Sequence, residues 1–326
     1  MPKQLPPATS EDVFPPNLKH RYFESASDHP FRHRAEKFEL VNAWWLAESS
    51  LLAYAEPDFA VPIFKQAGLT AYENKLTSGH STQVYVAHND NFVIAAFRGT
   101  QVFKANVGKT FPEMVRDVVA DIYADGKFSL VESGQGGNTH RGFKEALDEV
   151  WNELLSCLNR LKTEKPDRTI WLTGHSLGAA LATLAADRYG HVQGLYTFGS
   201  PFVGDEEFAQ DYFVNTYRFT NNNDVVARVP PAGLYLPPKF PLIGSYHHVG
   251  QLKYISSEGT LHDNPSISSR LHEQFLGRYR HLIHSIGSLR SGWVWELPLD
   301  SLNDHAPLYY ALRIWNAYER ELIGEQ

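Results

Sequence analysis

The sequence predicts an α/β fold, with a predominantly parallel central sheet flanked by helices, and three observations carry that reading. Short β-branched and aromatic runs at Thr169–Thr173, Leu195–Phe198 and Thr216–Thr220 alternate with longer helical patterns, the arrangement that builds parallel strands. Phe143, Ala146, Leu147, Val150, Leu154, Leu158 and Leu161 recur at the helical repeat and form one such pattern, which Pro166 ends. The third observation is Gly174-His175-Ser176-Leu177-Gly178, a G-x-S-x-G pentapeptide between a strand-type run and an Ala/Leu-rich segment of high helix propensity reaching Ala186. A serine on so sharp a strand-to-helix turn needs glycines where any Cβ would collide with its neighbours. It also presents its hydroxyl at a helix N-terminus, where free N–H groups favour a developing anion. Ser176 is therefore the candidate nucleophile.

The 326 residues suffice for one large domain with its own core. We divide the chain into an arm, residues 1–35, rich in proline and histidine and without periodicity, and a single domain over 36–326. The arm is expected to lie extended on the surface. Its His20, His29 and His33 match no metal-ligand spacing, so no metal is expected there. Lys and Arg number 30 against 37 Asp and Glu, a net charge of −7, and no basic block tracks a phosphate backbone, which argues against nucleic acid as a partner. Cys157, the single cysteine, lies in an apolar helical pattern and reads as a small buried side chain. No run approaches the roughly eighteen apolar residues of a membrane span, and the N-terminus lacks a signal-peptide core. The compartment stays open between the cytoplasm and a secreted mature form.

From Phe38 to about Tyr54, Val41, Trp45 and Leu52 follow the helical repeat, and Pro57 stops it. Val84–Val86 and Phe92–Phe97 read as a hairpin across a polar turn at His88–Asn91. Residues 101–114 read either as a flap hinged near Gly108 or as an ordinary surface loop. Thr110 to Glu113 have the spacing of a capping box, which starts a helix near Phe111. After Thr216–Thr220 come Asn221, Asn222, Asn223 and Asp224, an acid at a strand end where a ligand site of an α/β sheet lies. Residues 232–245 are apolar, proline-rich and aperiodic, a loop that lines an apolar cleft or packs on the core. Ile267, Leu271, Phe275, Leu282, Ile286 and Leu289 form a further helical stripe, residues 293–302 are irregular, and a last helix runs from about Ala306 to Leu322, with Asp304 as its cap and Gly324 as its stop.

Five ordered blocks then resemble the class 3 lipase family of α/β-hydrolases. Ala96-Phe97-Arg98-Gly99-Thr100 is similar to the family's F-R-G-T/S strand end, and His140-Arg141-Gly142-Phe143 to its H-x-G-F helix start. Thr197 to Pro201 with Val203, Gly204 and Asp205 resembles F-G-x-P-x-x-G-D, Asn223 to Pro231 the N-D-x-V-x-x-x-P-P acid loop, and Asp304 to Tyr310 the segment around the family's histidine. The resemblance spans residues 38 to 316 and implies the α/β-hydrolase fold, with catalytic residues in the order serine, aspartate, histidine. Asp224 and His305 then join Ser176. His281 and His284, inside the helical stripe, remain the alternative bases, and His247 and His248 match a structural segment.

The expected oxyanion hole is the backbone N–H of Leu177 with Thr100, whose hydroxyl the resemblance makes a second donor. His175 adjoins the serine but points elsewhere on a tight turn, and Arg98 with Asp121 is expected to form a structural ion pair. The 81 positions from Asp224 to His305 exceed the spacing in compact fungal members, placing an insertion around residues 256–300, and the segment after Thr100 lacks their tryptophan-bearing flap. The implied activity is a carboxylic ester hydrolase, foremost a triacylglycerol lipase, needing no cofactor and acting on an ester or lipid, with a lipid–water interface as one setting. A carboxylesterase, phospholipase A1 or feruloyl-type esterase with the same triad, and a non-catalytic lipase-like binding module, stay as alternatives, and oligomeric state stays open.

Overall fold

The computed structural model describes residues 2–71, 76–78, 82–100, 109–123, 129–229, 246–263 and 302–324. Its first part is more helical than the sequence reading. A single turn, α1 (Ser10–Val13), is capped by Thr9, whose side chain accepts from the Asp12 N–H. Helix α2 (Leu40–Leu52) is buried over its whole length, and Pro57, expected only to end it, opens a second helix, α3 (Pro57–Gln66). Proline suits that first turn, because its missing N–H would have had no intrahelical acceptor there.

The strands follow as β1 (Thr70–Ala71), β2 (Leu76–Ser78), β3 (Thr82–His88) and β4 (Phe92–Phe97), then helix α4 (Phe111–Tyr123) and short strands β5 (Leu130–Glu132) and β6 (Asn138–His140). Helix α5 (Arg141–Glu164) leads to β7 (Thr169–His175), α6 (Leu177–Tyr189), β8 (Gly194–Phe198), β9 (Gly204–Asp205), α7 (Glu206–Gln210) and β10 (Thr216–Asn221). After β11 (Tyr246–His247), β12 (Gln251–Ile255) and β13 (Leu261–Asp263), the described chain ends in α8 (Pro307–Ile323), which Gly324 stops in a left-handed conformation.

The main sheet runs β1-β3-β4-β7-β8-β10-β12-β13 with β2 beside β3. Its centre, β4-β7-β8-β10-β12, is parallel throughout, and antiparallel pairs close both ends. The hairpin predicted from its polar turn is β3–β4, with His88 opposite Val93. Burial of β4 on every residue and of β7 on all but its first explains their unbroken apolar runs, since a central parallel strand meets no water on either face. A second, antiparallel sheet, β11-β9-β6-β5, was not foreseen, because strands of two or three residues leave no period to read.

Helices α5 and α6 pack together, with α6 against β7, while α2 packs on both β7 and α8. The N-terminal arm departs from the expectation of a surface strap. Val13, Phe14, Phe23 and Phe31 are buried, and Phe31 meets the Trp171 ring edge-on at 5.2 Å and Phe23 lies 5.0 Å from Trp45. Apolar side chains at irregular spacing thus anchor the arm in the core, a pattern that periodicity cannot detect. Residues 101–108 with Gly108, the apolar segment 232–245, the helical stripe with His281 and His284, and most of the 256–300 stretch lie outside the described residues.

Candidate active site

Parallel strands place the site at their C-terminal ends, where β7 and β10 stop and loops take over. Ser176 sits between β7 and α6 with φ 59° and ψ −130°, a region that costs a non-glycine residue about 1–3 kcal/mol and persists only where its surroundings over-determine it. Here the Ser176 N–H donates to Phe198 O at 3.0 Å, and the flanking glycines allow the close approach. A Cβ on Gly174 would strike the Gly178 backbone, and one on Gly178 would strike the Phe97 carbonyl. Leu177 is the first residue of α6, so its N–H belongs to the amides without an intrahelical acceptor.

Asp224 follows β10 and is fully buried. Its Oδ2 accepts from His305 Nδ1 at 2.8 Å and from the Tyr310 hydroxyl at 2.5 Å, while Oδ1 lies 3.0 Å from the same Nδ1 and accepts from the Val226 N–H at 2.9 Å. Burial alone would raise this carboxyl. The electrostatic influence of His305 and the bonds from His305 and Tyr310 outweigh it and hold Asp224 below its ordinary value, so the acid is ionised. With Nδ1–H committed to Asp224, His305 turns Nε2 away as an acceptor. That nitrogen and the Ser176 hydroxyl are both buried and have no hydrogen-bond partner among the described residues.

The loop carrying His305 is tied to the acid loop by polar bonds. Asp304 Oδ2 accepts from Asn222 Nδ2 at 2.9 Å and from the Asn223 N–H at 3.1 Å, and the Asp304 carbonyl accepts from Asn221 Nδ2 at 2.8 Å. Asp304 was expected to cap the last helix. Ala306 occupies that position with no side-chain cap, because the Asp304 carboxylate is turned toward the acid loop. Burial pushes Asp304 up to about 6, despite the N–H of Asn223. Gly199, with φ 59°, supports the pair from β8: a Cβ there would stand 2.7 Å from Asp224 Oδ2 and 3.0 Å from His305 Nδ1.

His175 takes the structural role expected of it. Its Nε2 must donate to the His305 carbonyl oxygen, 2.9 Å away, so its Nδ1 accepts from the Tyr54 hydroxyl at 2.8 Å. Full burial, then the nearby His305, keep it neutral by holding it far below the usual histidine range. Arg98 donates to Gln83 Oε1 and to the Gly99 carbonyl, while the side chain of Asp121, its expected partner, lies outside the described residues. His247 and His248 stay in or beside β11, and His248 pairs with the Ala227 carbonyl at 2.9 Å.

Ser176, His305, Thr100 and His175 line one cavity, roofed by Phe111, Met114, Val115 and Val118 of α4 and by Phe14 of the arm. The cavity measures about 10 Å³, room for a water molecule at most, and Ser176 is 2% exposed. Sequence reading missed Tyr310, Tyr54 and Phe14. Tyr310 stands inside a quoted motif, but nothing in one dimension aims its hydroxyl at Asp224; Tyr54 and Phe14 come from parts of the chain that carry no motif. Among the described residues no group of His, Cys, Asp and Glu could hold a metal ion.

Comparison with known proteins places this geometry in context. Residues 94–234 match the model of the family described as Lipase (class 3). A secreted mono- and diacylglycerol lipase 1 of Fusarium solani is 41% identical over 102 residues, 29% of this chain and 31% of its own length. Secreted mono- and diacylglycerol lipase A of Penicillium cyclopium is 31% identical over 183 residues, 53% of this chain and 51% of its own. The chain thus spans 31% and 51% of the length of these two curated relatives. A crystal structure of a mutant form of a Penicillium cyclopium protein superposes with a TM-score of 0.51 at 25% identity, covering 69% of this chain and 85% of that one. The structure in which a serine protease triad was described at the catalytic centre of a triacylglycerol lipase superposes at 0.52 over 69% and 83%; at 22% identity it bears on the fold alone.

Proposed function

We propose, from the match of residues 94–234 to the class 3 lipase family model, that the chain is a carboxylic ester hydrolase of the lipase type, acting on acylglycerols through an acyl-enzyme on Ser176. One observation carries the reading. A strained serine hydroxyl and the Nε2 of an aspartate-held histidine stand unpaired, among the described residues, in one buried cavity. Such groups are costly to bury unless a ligand completes them.

In this reading Ser176 Oγ attacks the ester carbonyl carbon as His305 Nε2 takes its proton, and Asp224 stabilises the imidazolium without itself being protonated. The tetrahedral oxyanion is held by the Leu177 N–H and by Thr100. The imidazolium returns its proton to the leaving alcohol as the C–O bond breaks. Water, deprotonated by the same histidine, then attacks the acyl-enzyme and releases the acid and Ser176. The relatives' names, secreted mono- and diacylglycerol lipases, support glycerides as the substrate class and action outside the cytoplasm. Among the described residues no helix is long and apolar enough to cross a membrane.

The test is a chain-length series of p-nitrophenyl esters with the wild type, Ser176→Ala, His305→Ala and His281→Ala. The reading expects the first two variants to lose essentially all turnover and the third to keep it. Full activity in His305→Ala with loss in His281→Ala overturns the assignment of the base, and a profile confined to acetate and butyrate makes the protein a carboxylesterase.

A further inference from the structure

The roof over Ser176 has two origins. Phe111, Met114, Val115 and Val118 come from α4, inside the segment the family model matches, whereas Phe14 comes from the N-terminal arm, far outside it. The Phe14 ring is 4% exposed and lies between two aromatic partners, edge-on to Tyr54 at 4.9 Å and tilted against Phe111 at 5.7 Å. Tyr54 is the residue whose hydroxyl holds His175, so the ring packs directly on the polar support of the site.

The arm is fastened to the helix that follows His305. The Lys3 N–H donates to Asn316 Oδ1 at 2.7 Å and Asn316 Nδ2 returns a bond to the Lys3 carbonyl at 2.8 Å. The Tyr309 hydroxyl donates to the Pro6 carbonyl at 2.7 Å, and Lys3 Nζ pairs with Glu24 at 2.7 Å. Thr9 then caps the turn that ends beside Phe14. The ring is therefore positioned by a built segment on the same helix as the catalytic loop.

We propose that Phe14 is a specificity-determining residue: its ring fills the apolar space above Ser176 and His305 that the acyl chain of the substrate enters, and its size limits the chain length hydrolysed. The proposal rests on the ester-hydrolase reading above. The remaining cavity is about 10 Å³, so the side chains that line it set the room left for an acyl chain, and Phe14 is the one among the described lining residues that the arm contributes. Changing the arm side chain alters the pocket without changing any group that bonds to Asp224, His305 or Ser176.

The experiment compares kcat/KM for p-nitrophenyl octanoate and acetate in the wild type, Phe14→Ala, Phe14→Leu, Phe14→Trp and Leu18→Ala, with thermal unfolding of each. Removing the ring should raise the octanoate-to-acetate ratio by about 10-fold or more, the scale set by a few methylenes in an apolar pocket. Phe14→Leu should fall between Ala and wild type, and Phe14→Trp should lower the ratio. Leu18, in the same arm but 89% exposed, should leave it unchanged on substitution. A ratio constant within about twofold across the Phe14 variants that unfold normally overturns the proposal while leaving the enzyme reading intact. If Phe14→Ala fails to fold, the Leu and Trp variants decide, since their expected shifts have opposite signs. A wild type that hydrolyses neither ester, or a Ser176→Ala variant that hydrolyses both, overturns the reading and this inference together.

Discussion

The two flanks of the candidate site are built by opposite chemistry. On the acid flank both carboxylates are matched: Asp224 takes bonds from His305, Tyr310 and Val226, and Asp304 gathers Asn222 and Asn223. On the nucleophile flank Ser176 Oγ and His305 Nε2 lie beneath apolar side chains with no partner among the described residues. A fully satisfied buried network is rigid, and an unsatisfied one is costly. The fold thus fixes the geometry of the proposed base on one side and keeps hydrogen-bonding capacity open on the other, where a substrate would complete it.

The most severe way to break the acid flank is Asp224→Asn. It keeps the shape but offers His305 an amide that can stabilise the wrong tautomer, so kcat for ester hydrolysis should fall about 10⁴-fold. On the nucleophile flank, Thr100→Val removes one expected oxyanion donor and should reduce kcat by about 10²–10³ with normal thermal unfolding; near-wild-type turnover would take the Thr100 side chain out of the hole.

The apolar roof has its own pH dependence. His140 Nε2–H donates to the Ile122 carbonyl in the last turn of α4 at 3.3 Å, and its Nδ1 accepts from the Phe143 N–H at 3.3 Å. Burial lowers His140 to about 4. A histidine depressed on folding contributes stability that is complete above its unfolded value, near 6.5, and is lost as pH falls toward the folded one. Between about pH 6.5 and 4 this group alone should remove about 3 kcal/mol, protonation displacing the bond from Phe143. Asp304 slopes the other way, since a carboxyl raised to about 6 contributes stability that is lost as pH rises through that value. Denaturant unfolding at pH 7 and pH 4.5 checks this: the acid-side loss should be smaller in His140→Asn than in wild type and larger in Asp304→Asn.

The smallest expected effect sharpens the comparison most. Tyr310→Phe deletes one of the bonds to a buried carboxylate that keeps its others, which should lower kcat about 10-fold, leave KM unchanged and shift the acid limb of the pH–rate profile upward. An unchanged profile would make Tyr310 a packing residue only.

Much of this protein was legible in one dimension. The alternation of apolar runs with helical stripes determined the parallel α/β sheet, because each strand buried on both faces and each helix packed on one must show its own period. The pentapeptide around Ser176 determined the strained turn, since only glycine fits where the Gly178 Cβ position meets the Phe97 carbonyl. Asp224 stood out as an acid just beyond a strand, whereas His305 was chosen among several histidines by resemblance. Tertiary structure decided what has no local signature. It turned Asp304 from a helix cap into a tether, brought Tyr310 across to Asp224 and seated Phe14 of the arm beside a serine 162 positions away. Those contacts depend on how loops and termini meet after the sheet has formed, and spacing along the chain holds no record of that meeting.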